Sequence, residues 1–272
     1  MENNNIIQIL RQVKANKKYS SLSEQIVLDE IKQYLKKNPY AEADKKTIKE
    51  IRTNLHKTYS SFQTKKKNKR EKYLEELKQN PNDSEVTNNL LSLTLSTKER
   101  LNNYKSIYKK VFEITNKPKT IVDLGAGLNL LSYPLMNIKP LIYYSYDIDE
   151  EDIKFLYNYF KIMKKQGLNG KAEILDIRNQ NKITKLPQAD IIFLFKVTDI
   201  IDKSSHKPSE QLIVYLIHNK AKAIVASFPT KTLTRKKMNY PSRKWFELML
   251  SRNNLKFKTI KTDNEIFYII SK

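Results

Sequence analysis

From residue 118 onward, short apolar, β-branched runs alternate with helical stretches, and few folds accept that pattern. Strands are expected at 120–124, 141–146, 172–175, 190–195, 223–227, 256–261 and 266–271. Helical stretches fall between them at 128–137, 150–166, 208–219 and 242–253. Strand–helix repetition of this kind predicts an α/β fold with a mostly parallel, doubly wound sheet. The last two strands meet at Asp263-Asn264, a hairpin-like turn. Such a sheet holds ligands at the carboxyl ends of its strands.

The preceding hundred residues read as helices. Ile6, Ile9, Leu10 and Val13 share one helical face. Ser21 with Glu24 has the spacing of a capping box, opening a helix with Val27, Ile31, Tyr34 and Leu35 on one side. Pro39 closes it. Ile48, Ile51 and Leu55 mark a third helix. The densest basic run follows, Lys65-Lys66-Lys67-Asn68-Lys69-Arg70, and Pro81-Asn82-Asp83 is a break. Ser96 and Glu99 make a second box. The helix behind it carries Leu101, Tyr104, Tyr108, Val111 and Phe112 on one stripe.

Charge and composition narrow the partners. The 272 residues carry 51 Lys+Arg against 29 Asp+Glu, a formal net charge of +22. Residues 1–110 hold 24 cations and 13 acids, and 111–272 hold 27 and 16, so each side carries +11. This excess favours a polyanionic partner and sequence-independent phosphate affinity. Its even split predicts an anion-binding face that crosses both parts. The plainer alternative is a solvated, lysine-rich surface. With no cysteine, disulfides, thiol nucleophiles and Cys-based zinc sites are excluded, and no metal is expected. The longest apolar runs fall far short of the roughly 20 residues a membrane helix needs. The opening Met-Glu-Asn-Asn-Asn lacks a signal pattern, so a cytoplasmic protein without membrane contact is expected.

Glycine is unusually scarce. The chain has four, far below the usual share of about 7%. Two of them stand at Gly125 and Gly127, where Ile121-Val122-Asp123-Leu124 runs into Gly-Ala-Gly and then Leu128-Asn129. Glycine there lets backbone approach a ligand, and the following helix start offers free N–H groups. A dinucleotide fingerprint needs a third glycine, but that place holds Leu130. A cofactor without a pyrophosphate, such as S-adenosylmethionine, asks less of the turn. Asp147 ends the second strand at the interval suited to a ribose-binding carboxylate, beside Ile148. Asp149 suits a helix N-cap. Asp176, after the third strand, is placed to accept from an adenine amino group while Ile177 packs on the ring.

The fifth strand leads into a basic loop. Between Ser227 and Trp245 lie Lys231, Arg235, Lys236, Lys237, Arg243 and Lys244, with no acid. Tyr240 and Trp245 stand among them. Cations hold phosphates, and aromatics stack on exposed bases. Trp245 and Phe246 can equally anchor the next helix, and this fits Phe246 better.

At these residues the chain resembles the aminoglycoside-resistance 16S rRNA (guanine-N7) methyltransferases. Asp123-Leu124-Gly125-Ala126-Gly127-Leu128-Asn129, continuing to Pro134-Leu135-Met136-Asn137, is similar to that family's cofactor motif. Ser96-Thr97-Lys98-Glu99-Arg100-Leu101, Ser145-Tyr146-Asp147-Ile148-Asp149 and Ser227-Phe228-Pro229-Thr230-Lys231-Thr232-Leu233 match in the same order. The resemblance covers roughly residues 90–272. It implies a class I methyltransferase, Rossmann-like, with a seven-stranded mostly parallel sheet and an N-terminal helical extension. The expected division is an rRNA-binding extension at 1–105 and an S-adenosylmethionine domain at 106–272.

The resemblance also implies roles. Arg100 would bind the methionine carboxylate, as a guanidinium pairs bidentately with a carboxylate. Gly125, Ala126 and Gly127 would line the cofactor, Asp147 and Ile148 its ribose, and Asp176 and Ile177 its adenine. Lys196 occupies the place of a family lysine at the target side, as both positioning residue and RNA contact. The implied RNA contacts are Lys65, Lys66, Lys67, Lys69 and Arg70 in the extension, with Lys231, Arg235, Lys236, Lys237, Arg243 and Lys244 in the basic loop. The implied partner is 16S rRNA or the assembled small ribosomal subunit, met by a monomer. Two departures stand out. Leu130 replaces a frequent proline, and the basic loop is short and free of glycine, so the target-contacting region differs.

Guanine N7 carries a free lone pair, so its methylation needs base extrusion and alignment rather than a general base. The three histidines, His56, His206 and His218, fit surface or packing roles. An acid near the target would offset the charge left on the base, but no residue in the sequence identifies it. Two other classes compete: an inactive rRNA-binding assembly factor, and a methyltransferase for another RNA base, a small molecule or a protein.

Overall fold

The computed structural model describes residues 2–56, 69–202, 205–231, 236, 238 and 242–272. Its centre is a sheet of β1 (Thr120–Leu124), β2 (Leu141–Asp147), β3 (Leu168–Ile174), β4 (Ala189–Phe195), β5 (Ala221–Pro229), β6 (Lys256–Lys261) and β7 (Glu265–Ser271). The order is β3-β2-β1-β4-β5-β7-β6. The first five strands pair in parallel, while β7 runs antiparallel to β5 and β6. The expected doubly wound sheet with its closing hairpin is therefore present. β3 starts four residues earlier than expected because it is an edge strand. Exposed Asn169, Lys171 and Glu173 hide it from a search for apolar runs.

Before the sheet come α1 (Glu2–Lys14), α2 (Glu24–Lys37), α3 (Lys45–Leu55), α4 (Arg70–Gln79), α5 (Ser84–Leu91), α6 (Leu95–Arg100) and α7 (Tyr104–Thr115). Between and beyond the strands lie α8 (Tyr133–Met136), α9 (Glu150–Met163), α10 (Gln180–Ile183), α11 (Thr198–Ile201), α12 (Lys207–Asn219) and α13 (Lys244–Arg252). No helix among the described residues is long and apolar enough to cross a membrane.

Side chains alternate between the two faces of a strand, so the sheet has two cores. On β4, Ile191, Phe193 and Phe195 enter one cluster with α4, α5, α7 and α9, whereas Ile192 and Leu194 enter another with α12 and α13. Tyr104, Tyr108, Val111 and Phe112 of the expected stripe are buried on α7, whereas Leu101 falls before it and is half-buried. Tyr108 is stacked between Tyr104 at 5.5 Å and Phe112 at 5.7 Å. Each such large side chain contributes about 1.5–3 kcal/mol on burial.

Helices α1–α3 enclose a third, smaller core of Ile9, Val13, Val27, Ile31, Ile48, Ile51 and Leu55. Leu74, Leu77, Leu90 and Tyr104 all share the core of the sheet. The N-terminal core draws its buried residues from 9–55, with Ile148 of the sheet part packed against it.

Neither expected capping box forms. Ser23 precedes α2, and Ser21 instead donates to Asp149 Oδ2 at 2.8 Å. Thr94 precedes α6, which places Ser96 inside the helix, and Glu99 pairs with a distant lysine. In both cases a tertiary partner outcompetes the local one.

Candidate cofactor and target site

A cleft opens at the carboxyl edge, between the ends of β1, β2, β3 and β4. The sequence-predicted Arg100, Gly125, Ala126, Gly127, Asp147, Ile148, Asp176, Ile177 and Lys196 all line it.

The floor is the turn after β1. Gly125 and Gly127 have φ of +67° and +49°, the left-handed region that glycine enters without strain. Gly125 and Ala126 N–H both donate to Tyr146 O, at 2.9 and 3.0 Å. Gly127 N–H donates to Asp147 Oδ2 at 2.7 Å. A Cβ on Gly125 would lie 2.5 Å from Val197 Cγ1, whereas one on Gly127 would meet nothing within 4 Å. The space in front of Gly127 thus belongs to the cleft. A Gly125→Ala variant is expected to lose about 1–3 kcal/mol from its left-handed backbone and the Val197 clash. Chemical denaturation checks this, with Gly125→Ala/Val197→Ala recovering the steric part.

Asp147 faces the turn. Its Oδ1 accepts from Ile148 N at 2.7 Å and Asp149 N at 3.1 Å. Burial pushes its carboxyl up, and the Gly127 amide opposes that. Asp149 caps α9, accepting from Asp152 N at 3.0 Å, as its position suggested.

Asn129 supports the turn from behind. Its Nδ2 donates to Asp123 Oδ2 at 2.9 Å, and its Oδ1 accepts from Tyr104 OH at 2.9 Å. Tyr143 OH also donates to Asp123 Oδ2, at 2.5 Å. Burial raises the Asp123 carboxyl to about 6 despite these two donors. A carboxyl raised on folding holds its proton more tightly in the native state, so stability falls as pH climbs from about 4 to 6. Asp123→Asn is expected to remove that contribution. Melting temperatures across pH 4–7, compared with the parent, check it: the difference between the two profiles should change within that window.

Asp176 stands just past β3, and Arg178 holds it. Arg178 Nη2 donates to Asp176 Oδ2 at 2.7 Å, and Nε bridges both carboxylate oxygens at 3.0 Å. The carboxylate enters the cleft with its charge already balanced.

Across the cleft lies a buried ionic cluster. Arg100 Nε and Nη2 donate to the two oxygens of Glu265, both at 2.9 Å. Ser227 Oγ donates to Glu265. Lys196 Nζ reaches Glu99 at 2.8 Å and Glu265 at 3.5 Å. Arg100, Glu265 and Lys196 are 4, 1 and 8% exposed, so these charges must neutralise one another. Burial would raise the Glu265 carboxyl, but Arg100 and Lys196 outweigh it and hold it below the usual range. Burial would also depress the Arg100 guanidinium, and Glu265 reverses that. Lys196 sits at φ 58° after β4, which folds its chain back towards this cluster.

The other expected RNA contacts divide three ways. Lys65, Lys66, Lys67, Arg235 and Lys237 lie outside the described residues, as does Tyr240. Lys69, Lys236 and Lys244 are exposed, and Lys231 is half-buried. Arg70, Arg243 and Lys196 each have internal partners. Arg70 pairs with Glu151 at 2.6 Å and Asp152 at 3.4 Å, where the acidic first turn of α9 draws it in. Arg243 lies over the Phe228 ring and reaches Pro229 O at 3.3 Å. Trp245 stacks on His206 at 3.6 Å, and Phe246 is fully buried against Phe228.

Glu265 and Arg178 were not singled out in the sequence. Arg178 had a weak signal, a cation two residues after a strand-end acid. Glu265 had only its place before the apolar Ile266-Phe267-Tyr268. It reaches Arg100 and Lys196 because β7 runs backwards, pairing Glu265 with Pro229 at the carboxyl end of β5.

Comparison with known proteins bears on this arrangement. Residues 19–269 match the family model described as ribosomal RNA methyltransferase (FmrO). The chain is 28% identical over 251 residues to the 16S rRNA (guanine(1405)-N(7))-methyltransferase of Proteus mirabilis, covering 84% of this chain and 85% of that protein. Its fold is similar to the crystal structure of the 16S rRNA methyltransferase RmtF in complex with S-adenosyl-L-homocysteine. There the TM-score is 0.78 at 19% identity, over 98% of both chains. The 16S rRNA methylase ArmA gives a TM-score of 0.55 at 27% identity, over 74% of this chain and 97% of that one.

Proposed function

The chain belongs to the ribosomal RNA methyltransferase (FmrO) family, and from that premise we propose that it methylates N7 of a guanine in the decoding region of 16S rRNA, using S-adenosylmethionine. The name of the Proteus mirabilis relative supports the base and the atom. The Gly125–Gly127 turn against Asp147 carries the cofactor half of this reading.

The residues present fit that cofactor. Open space in front of Gly127 admits it against the backbone. Three N–H groups occupy part of the acceptor capacity of Asp147 and leave room for a ribose hydroxyl. Ile148 and Ile177 supply apolar surface to the same cleft, and Asp176 stands beside them for an adenine amino group. Glu265 takes two of the five N–H donors of Arg100, which leaves donors for a methionine carboxylate. When bound, S-adenosylmethionine supplies an electrophilic methyl group.

The protein then has to hold an extruded guanine in line with that methyl and exclude water. N7 attacks with its own lone pair, so no side chain need remove a proton. Lys196 positions the target edge, and Glu99 beside it offsets the positive charge left on the base. Lys69, Lys231, Lys236 and Lys244 meet phosphates. In this reading the protein acts as a monomer on rRNA of the small subunit, in the cytoplasm.

The test is borohydride and aniline treatment of 16S rRNA from cells expressing the chain, read by primer extension. A new strand break is expected, absent with Asp147→Ala. No break with the parent chain would exclude N7 as the target. Calorimetry with S-adenosylhomocysteine separates this enzyme from an assembly factor, which would bind RNA alone.

A further inference from the structure

The N-terminal helices touch the cleft at the loop that carries Asp147. Between α1 and α2 the chain forms a short antiparallel bridge, Leu22 on Asp149. Ser23 N–H donates to Ile148 O at 3.1 Å, and Glu150 N–H donates to Ser21 O at 2.8 Å. Ser21 Oγ adds its bond to Asp149 Oδ2 at 2.8 Å. The bridge is held in turn by α1, whose Lys14 Nζ donates to Leu22 O at 2.6 Å.

Two side chains cross this junction in opposite directions. Leu22 is 2% exposed, belongs to the N-terminal core and lines the cleft together with Asp147. Ile148 belongs to the ribose loop and packs against the N-terminal core while also lining the cleft. The backbone of that loop donates to Asp147 Oδ1 from Ile148 and Asp149. The docked N-terminal unit therefore holds the same peptide groups that orient the ribose carboxylate.

We propose that the N-terminal unit forms part of the cofactor site, with Leu22 as a positioning residue that couples cofactor occupancy to the docking of that unit. The proposal rests on reading the cleft as an S-adenosylmethionine site. Linkage makes the coupling reciprocal. A cofactor that requires the ordered loop tightens the bridge, and contacts that hold the N-terminal unit in place tighten the cofactor. RNA held by the N-terminal unit would thereby select the cofactor-loaded enzyme.

Calorimetry of the full chain with S-adenosylhomocysteine tests this on Leu22→Ala, Ser21→Ala and Leu22→Met. Val27→Ala is the control, a core change within the N-terminal unit away from the bridge. Leu22→Ala is expected to weaken binding by about 10-fold, within the usual range of coupling between sites. Ser21→Ala should weaken it less, Leu22→Met should restore it, and Val27→Ala should lower stability while leaving affinity near that of the parent. Hydrogen exchange on the unaltered chain should show Ser23 and Glu150 amides slowed by S-adenosylhomocysteine, and this measurement decides if Leu22→Ala does not fold. Affinities within twofold of the parent for both Leu22→Ala and Ser21→Ala would overturn the proposal, as would unchanged exchange at both amides. A parent that binds no S-adenosylhomocysteine overturns the cofactor reading and this proposal together, whereas a binding parent with unaffected variants overturns only this one.

Discussion

A Glu265→Ala variant is expected to lose about 3–5 kcal/mol of stability, because it leaves Arg100 and Lys196 buried without their shared carboxylate. Solvent cannot screen them, since all three side chains are nearly inaccessible. For a chain of this size that corresponds to a drop in melting temperature of very roughly 6–20 °C. Calorimetric melting at neutral pH measures it. Replacing Arg100 as well, as in Arg100→Met/Glu265→Leu, should recover the part of the loss that comes from the unpaired guanidinium, while Lys196 keeps Glu99. That double variant should still bind S-adenosylhomocysteine poorly, because the guanidinium for the methionine carboxylate is gone. A double variant no more stable than Glu265→Ala would argue against the buried-charge explanation. The folded-state pKa of Glu265 is depressed, so its contribution is present above the ordinary glutamate range and disappears on acidification.

The second large effect is expected at Asp147. Removing the carboxylate in Asp147→Ala should weaken S-adenosylhomocysteine by at least about 100-fold. A hydrogen bond to a charged group contributes about 1.5–3 kcal/mol, and a ribose offers two hydroxyls. Asp147→Asn keeps the size of the side chain but not its charge, so an intermediate loss, about 10-fold or more, should follow. Titration calorimetry reads both. Circular dichroism should show that the fold persists, since Asp147 stands at a strand end rather than within a core. Unchanged affinity in Asp147→Ala would remove the ribose role. Methylation should fall with affinity, and the strand break in 16S rRNA should disappear.

Much of this architecture is legible locally. Apolar runs mark β1, β2, β4 and β5 because interior parallel strands bury both faces. The Gly125–Gly127 turn stands out because glycine is otherwise scarce. Asp147 and Asp149 are legible from position alone, one ending a strand and the other preceding a helix. What is not legible has a common cause. Ser21, Glu99, Arg70 and Arg243 each have a plausible local role, a cap or a surface cation, but each takes a partner from a remote element. Ser21 bonds Asp149, 128 residues away, and Arg70 bonds Glu151, 81 residues away. Sequence spacing carries no record of such pairs.

The sequence by itself determined the periodicities: a helical N-terminal part, a doubly wound sheet, a glycine turn with an acid at the next strand end, and cations spread over both parts. These follow from burial patterns and backbone freedom within a few residues. Only the tertiary structure decided which charges are spent inside. The reversed direction of β7 brings Glu265 to the carboxyl edge, where it neutralises Arg100 and Lys196. The bridge at Leu22 then places part of the N-terminal unit against the ribose loop. Both depend on chain direction and long-range packing, and a buried charge can settle only where such packing supplies its counter-ion.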